Sequence, residues 1–236
     1  MDYKTDEYYK VRSICHQRSA ERILWLSKTC RGIYFKGGQY IGNLDKIVPQ
    51  EFAETLQVLQ DSGPKEDIHA IKTVIEYDTK KKMDELFSWF DHDAIAAASL
   101  AQVHRAHLKE NNKLVAVKVQ FPTLRAQYCF DFFFIEKLCN FCDWTCTKIG
   151  FQDVSLISIF NQFKSSLKDE LDFEREVSNA KATMVIFEDN KNIHIPKIED
   201  SIVSKRCFAM EYVEGAKIND KKGIEKLGLD PKEVSR

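Results

Sequence analysis

An excess of charge of either sign is missing from this 236-residue sequence, in which 35 lysines and arginines meet 36 aspartates and glutamates. No global field therefore favours nucleic acid or an anionic membrane over other partners, and function has to come from local sites. Also missing is an uninterrupted run of roughly 20 apolar residues, the length a spanning helix needs. The most apolar stretch, Cys129 to Trp144, is broken by Asp131, Glu136, Lys137 and Asp143, which predicts a buried helix rather than a membrane span. The opening Met1-Asp2-Tyr3-Lys4-Thr5-Asp6-Glu7 has neither the apolar core of a secretory signal nor the Arg-rich, acid-poor character of a transit peptide, so no targeting segment is visible in it. Seven cysteines without such a signal read as reduced thiols of an intracellular compartment, not as a disulfide framework. Cys139, Cys142 and Cys146 admit a metal site by their spacing, but they recur at helical spacing in a Phe-rich stretch, where cysteine behaves as a small apolar residue. Internal repeats and low-complexity segments are absent.

What is there is 44% hydrophobic and 30% charged, the composition of a globular protein with one ample domain or two small ones. Val11, Ile14, Ile23, Leu24 and Leu26 recur among polar residues from Tyr8 to about Thr29, which predicts an amphipathic helix. A second run, Glu51 to Gln60, follows Pro49 and is stopped by Gly63-Pro64; a third, through Ile68, Ile71, Val74 and Ile75, has Asp67 as its N-cap. Near Asp91 the pattern changes to short β-prone runs, Leu100 to Leu108, Leu114 to Gln120 and Arg206 to Val213. Asn111-Asn112 between the first two predicts a tight turn and a hairpin. A long helical region, Leu124 to Met184, separates the hairpin from the third strand, with a break at Gly150. The first ninety residues thus read as all-helical and the rest as mixed.

Four constellations carry chemistry. Val115-Ala116-Val117-Lys118 sets a lysine in an apolar strand, where an unpaired ammonium is expensive to bury. It is either an edge-strand lysine reaching water or a phosphate-binding lysine paired with a helix glutamate, as in protein kinases. Upstream, where a kinase has its glycine-rich loop, stand Ala96, Ala97, Ala98 and Ser99. They form a packing turn or a stiffer phosphate loop, since alanine does not share glycine's access to positive φ. Downstream, the acidic run Lys168 to Val177 places Glu170 with Glu174, and Asp172 with Glu176, on common helix faces: a solvated face or the source of the lysine's partner. Finally, Phe35-Lys36-Gly37-Gly38-Gln39 holds two glycines in a helical stretch, at about 1 kcal/mol each relative to alanine. Either a close packing approach or the insertion of Lys36 and Gln39 into a polar site has to offset that.

Taken together, these pieces resemble the ABC1/UbiB family of aarF-domain-containing atypical kinases, over nearly the whole chain and in the family order. Lys36-Gly37-Gly38-Gln39 resembles its Lys-x-Gly-Gln motif, Ala96 to Ser99 its alanine-rich loop, Lys118 its strand lysine, Glu170-Leu171-Asp172 its Glu-x-Asp motif and Glu176 the glutamate that pairs with the lysine. The resemblance implies an α+β fold: a helical N-terminal extension over residues 1–90, folded over the nucleotide cleft, then a kinase-like N-lobe over 91–236 with a helical insert, ending just after the hinge. It implies ATP with Mg²⁺, Lys118 and Glu176 as catalytic groups, and Ala96 to Ser99 together with backbone groups of Glu211 and Val213 around the nucleotide. Lys36, Gln39, Glu170 and Asp172 are implied to be regulatory. No His-x-Asp-x-His-Pro-Gly-Asn segment and no Asp-Phe-Gly occurs before Arg236, so the C-lobe and its metal ligands are expected to be absent and this stretch alone to transfer no phosphoryl group. The family further implies coenzyme Q biology, mitochondrial lipid homeostasis, a mitochondrial location and membrane or lipid association; no nucleic-acid partner is implied, and the protein partner is unspecified. A non-catalytic protein- or lipid-binding module on the same fold is the alternative.

Overall fold

A computed structural model describes residues 5–44, 46–60, 63, 65–122, 124–150, 155–218 and 220–234, with the side chains of 125–127 and 233 excepted. The helix stop placed at Pro64 and the opening residues 1–4 lie outside the described residues. Helix α1 (Asp6–Cys30) begins at Thr5, whose hydroxyl accepts from Tyr8 N, and α2 (Gly32–Gly42) follows after a sharp corner at Arg31, φ 56°. Helix α3 (Gln50–Leu56) runs on into a 3-10 turn, Gln57–Gln60. Phe35, Leu56 and Leu59 bury themselves where α1, α2 and α3 meet. Helix α4 (Ile68–Thr79) is capped by Asp67, which accepts from His69 N, and α5 (Met83–Leu86) is a single turn.

One antiparallel sheet forms the centre. Its strands are β1 (Phe87–Phe90), β2 (Ala96–Ala97), β3 (Ala101–Leu108), β4 (Leu114–Gln120), β5 (Ile198–Val203) and β6 (Cys207–Glu211), in the order β1-β3-β4-β6-β5 with β2 paired to β3. The hairpin turn between β3 and β4 holds Asn112 at φ 55°, a conformation asparagine tolerates well. Alternation along β4 sends Val115, Val117 and Val119 to one face, where they meet Ile71, Val74 and Ile75 of α4. The other face carries Ala116, Lys118 and Gln120. The connection from β4 to β5 comprises α6 (Leu124–Lys148), α7 (Leu156–Glu170), capped by Ser155, and α8 (Phe173–Ile186), capped by Asp172. Gly150 follows α6 at φ +79°. Two short helices, α9 (Lys221–Lys226) and α10 (Pro231–Val234), follow the sheet.

Three expectations are corrected. The helical reading of the first ninety residues overlooks β1, whose four residues are too few for a period; pairing Phe87 with Leu108 and Phe90 with Ala106 makes them a strand. The strand read from Arg206 to Val213 is shorter, Cys207–Glu211. The Phe-rich helix is not buried all round. Phe132 and, more loosely, Tyr128, Ile135 and Cys139 pack inward beside Phe160 and Phe163 of α7, but Phe130, Phe134 and Phe141 stay 75%, 68% and 60% exposed, because none of the described elements lies on that side.

Candidate functional site

Lys118 lies in a central strand, flanked by β3 through Val103 and by β6 through Phe208, so the edge-strand reading does not hold. Its side chain runs over the rings of Phe173 and Phe208, 4.8 and 5.8 Å from their centroids, and its Nζ lies 2.6 Å from Glu176 Oε1. Glu176 reaches it because α8 is locked to the sheet one turn earlier. Phe173 and Val177 are buried against Ala101, Ile198 and Phe208, and the Phe173 and Phe208 rings meet edge to face at 5.3 Å. The spacing of Phe173, Glu176, Val177 and Ala180 puts the glutamate on the margin of that packed face.

The corner from which α8 departs is tied to the same strand. Gln120, two residues beyond Lys118 and 1% exposed, donates from Nε2 to Leu171 O at 2.8 Å, and its Oε1 has no partner among the described residues. Sequence reasoning passed Gln120 over; a polar residue ending an apolar strand on the lysine's face is the signal that marks it. Asp172 closes the corner by accepting from Arg175 N at 3.2 Å. Glu170, by contrast, ends α7 and pairs across the corner with Lys36 of α2 at 2.7 Å, so the two acids of the Glu-x-Asp motif serve different elements.

A cleft of about 580 Å³ lies between these groups, lined by Lys36, Ala98, Ser99, Lys118, Glu170 and Glu176 among others. The structure thus brings Lys36, Glu170, Ala98, Ser99, Lys118 and Glu176 together. Ala96 and Ala97 stand apart as β2, paired with Val103 and Gln102. Gln39 turns away, donating from Nε2 to Leu59 O at 2.7 Å, and so ties α2 to the 3-10 turn. Glu211 pairs with Val115, three residues along the strands from the rung of Lys118 and Phe208, about 10 Å at strand rise. Its backbone N–H donates to Lys197 O and its carboxylate accepts from Lys197 N, which holds the carboxyl below its ordinary range. Val213 follows the strand, half exposed.

The alanine loop is fastened from outside by a strap that the sequence did not announce. Gly63 N donates to Ala97 O at 3.0 Å, Lys65 Nζ donates to Ala94 O at 2.8 Å, and the amide of Gln102 on β3 accepts from Glu66 N and donates to Glu66 O. A Cβ on Gly63 would lie 2.0 Å from Ala98 O, so only glycine permits this approach. Gln102 Nε2 also lies 2.9 Å from Nε2 of fully buried His104, whose Nδ1 lies 2.8 Å from Asp91 O. An amide donor facing Nε2 makes that nitrogen the acceptor and leaves the proton on Nδ1.

A strand lysine paired with a helix glutamate beside a loop that faces the cleft is the arrangement of kinase-like N-lobes. The ABC1 atypical kinase-like domain matches residues 58–236, and the chain belongs to that family. It is 40% identical over 233 residues to the probable serine/threonine-protein kinase abkD of Dictyostelium discoideum and 37% identical over 234 residues to AarF domain-containing protein kinase 1 of Gallus gallus. Each alignment takes in 99% of this chain but only 33% and 44% of those proteins, so the chain spans less than half the length of these relatives. Among solved structures, the Rv3197–erythromycin complex from Mycobacterium tuberculosis shares the fold at 21% identity, with a TM-score of 0.52, covering 89% of this chain and 52% of that one.

Proposed function

We propose that this chain supplies the phosphate-holding half of an ATP site in an ABC1-type atypical kinase or ATPase. The observation that carries the reading is the 2.6 Å pair of Lys118 and Glu176 at the wall of a cleft large enough for a nucleotide. A lysine held over two aromatic rings and aimed by one carboxylate is pre-oriented for the α- and β-phosphates. Ala98 and Ser99 would pass beside those phosphates, and Glu211 and Val213 would meet the adenine with their backbone groups. Lys36, bound to Glu170 at the same cleft, would restrict access to it, with Gln39 fixing α2, which carries Lys36, and Asp172 capping α8, which carries Glu176. Mg²⁺ enters this proposal as the ion that accompanies ATP and neutralises its phosphates; among the described residues no group of three or more His, Cys, Asp or Glu side chains gathers to hold a metal. A place in coenzyme Q biology and mitochondrial lipid homeostasis belongs to the same proposal and rests on family membership; localisation of the tagged full-length protein tests it.

The decisive experiment is titration of the chain with a fluorescent ATP analogue and Mg²⁺. Lys118→Ala is expected to weaken binding at least about tenfold, the size of one lost charge-assisted contact. Undiminished binding by a folded Lys118→Ala variant would replace this reading with that of a non-catalytic binding module.

A further inference from the structure

Every charged side chain at the wall of the Lys118 cleft is already paired. Among the described residues its bases are Lys36, Lys118 and Arg175, and its acids are Asp169, Glu170 and Glu176. Lys36 binds Glu170 at 2.7 Å, Lys118 binds Glu176 at 2.6 Å, and Arg175 binds Asp169 through Nη1. Three positive charges thus meet three negative ones, and no cation is left over for an anionic ligand. A lysine has three N–H donors, so Lys118 can keep Glu176 and still meet a phosphate. The charge balance nevertheless stays unfavourable to a polyphosphate unless one carboxylate gives way.

The three pairs are not equally easy to open. The side chains of Lys36 and Lys118 are each 25% exposed, so parting either from its acid leaves a partly desolvated ammonium without its partner, which is costly. Lys118 is further held over the rings of Phe173 and Phe208. The side chains of Arg175 and Asp169 are 57% and 55% exposed. An ion pair in that setting is among the weakest contacts in a protein, because water screens both charges and hydrates them once they part. Arg175 is also the only guanidinium lining the cleft among the described residues. Its planar fork matches two phosphate oxygens, which the point charge of a lysine does not.

We propose that Arg175 exchanges Asp169 for the terminal phosphate of a nucleoside triphosphate bound in this cleft, and so sets the preference of the site for ATP over ADP. The assignment to the terminal phosphate follows by elimination. Lys118, aimed by Glu176, takes the α- and β-phosphates, Lys36 stays with Glu170, and Arg175 is the base that remains. The exchange is a movement of one side chain, because Phe173 and Val177 keep α8 packed against the sheet. Asp169, left at the end of α7, is hydrated where it stands and competes with the phosphate for the guanidinium. This inference rests on the nucleotide reading of the cleft and adds to it the residue that tells a triphosphate from a diphosphate.

The test is titration of the chain, in the presence of Mg²⁺, with fluorescent ATP and ADP analogues that differ only in the γ-phosphate. The unaltered chain is expected to bind the ATP analogue at least about tenfold tighter, the size of one charge-assisted contact. Arg175→Gln should remove that preference while ADP affinity changes less than about threefold, and Asp169→Asn should tighten ATP binding about threefold by removing a weak competitor. In the double variant the gain from Asp169→Asn should vanish, since no guanidinium is left to release. Both side chains are exposed, so each variant should keep its melting temperature. Lys118→Ala, by contrast, should weaken both analogues. Equal affinity of the unaltered chain for the two analogues, an Arg175→Gln variant that loses both equally or neither, or weaker ATP binding in Asp169→Asn would each overturn the exchange and leave the nucleotide reading standing. A chain that binds neither analogue would overturn both.

Discussion

Gly37 and Gly38 stand side by side in α2 and answer to different constraints. A Cβ on Gly38 would lie 2.6 Å from both Leu59 Cδ1 and Ser27 Oγ, where α1, α2 and the 3-10 turn close on one another. The same atom on Gly37 meets only Phe163 Cζ, at an ordinary 3.9 Å. Gly37→Ala is therefore expected to be neutral or to stabilise by up to about 1 kcal/mol, through helix propensity and a less flexible unfolded chain. Gly38→Ala should cost about 1–3 kcal/mol through overpacking. Chemical denaturation of the two variants checks this, and an equal loss in both would refute the packing account. Of the two readings open for this motif, close approach describes Gly38 and Gln39, whereas Lys36 alone reaches the polar cleft.

At the scale of elements, the important relation is that of α8 to β4. Only two residues, Leu171 and Asp172, separate the end of α7 from the start of α8, and they make the corner between the two helices. Removing the cap with Asp172→Ala should lower stability by about 1 kcal/mol. Because Phe173 and Val177 remain buried against the sheet, Glu176 should still meet Lys118, and nucleotide affinity should change less than about threefold, far less than in Lys118→Ala. A titration in which Asp172→Ala loses as much affinity as Lys118→Ala would show that the cap, and not the aromatic packing, sets the position of the glutamate.

Across the whole molecule, the extension and the sheet are joined by partly buried polar groups as well as by the apolar core. Arg206, beside β6, binds Asp78 of α4 through Nε at 3.0 and 3.2 Å and again through Nη2. Burial pushes the Asp78 carboxyl up, but the Arg206 hydrogen bonds and charge outweigh it and hold the group below its usual value. His104, in the strap network, is shifted down, chiefly by burial and against the pull of the Asp91 carbonyl and charge. A histidine whose folded value is lowered binds fewer protons than in the unfolded chain, so its neutral state favours folding above the free value of 6.5, and that contribution is lost as pH falls below it. Thermal melts from pH 7.5 to 5 should therefore show falling stability, with the amides of Gly63, Lys65 and Glu66 gaining hydrogen exchange over the same range. A melting temperature that is flat or rises towards pH 5 would contradict this.

The sequence by itself determined the elements with a strong local signature: the cap at Asp67, the Asn111-Asn112 turn, the Gly150 break, and the apolar strand that holds Lys118; the continuous acidic helix read from Lys168 to Val177 is instead broken at Leu171 and Asp172, which puts Glu170 on α7 and Glu174 on α8. Resemblance singled out Glu176, but a separation of 58 residues from Lys118 carries no local signal, and only the folding of α7 and α8 back onto the sheet brings the two within 2.6 Å. Tertiary structure alone decided that Phe87 to Phe90 is a strand, that Gly63, Lys65 and Glu66 strap the alanine loop, and that half of a Phe-rich helix faces outward. The reason is physical. Periodicity and capping are properties of neighbouring residues, whereas pairing, close approach and burial depend on which distant surface the fold brings alongside, and beside the outer face of α6 the described chain brings none.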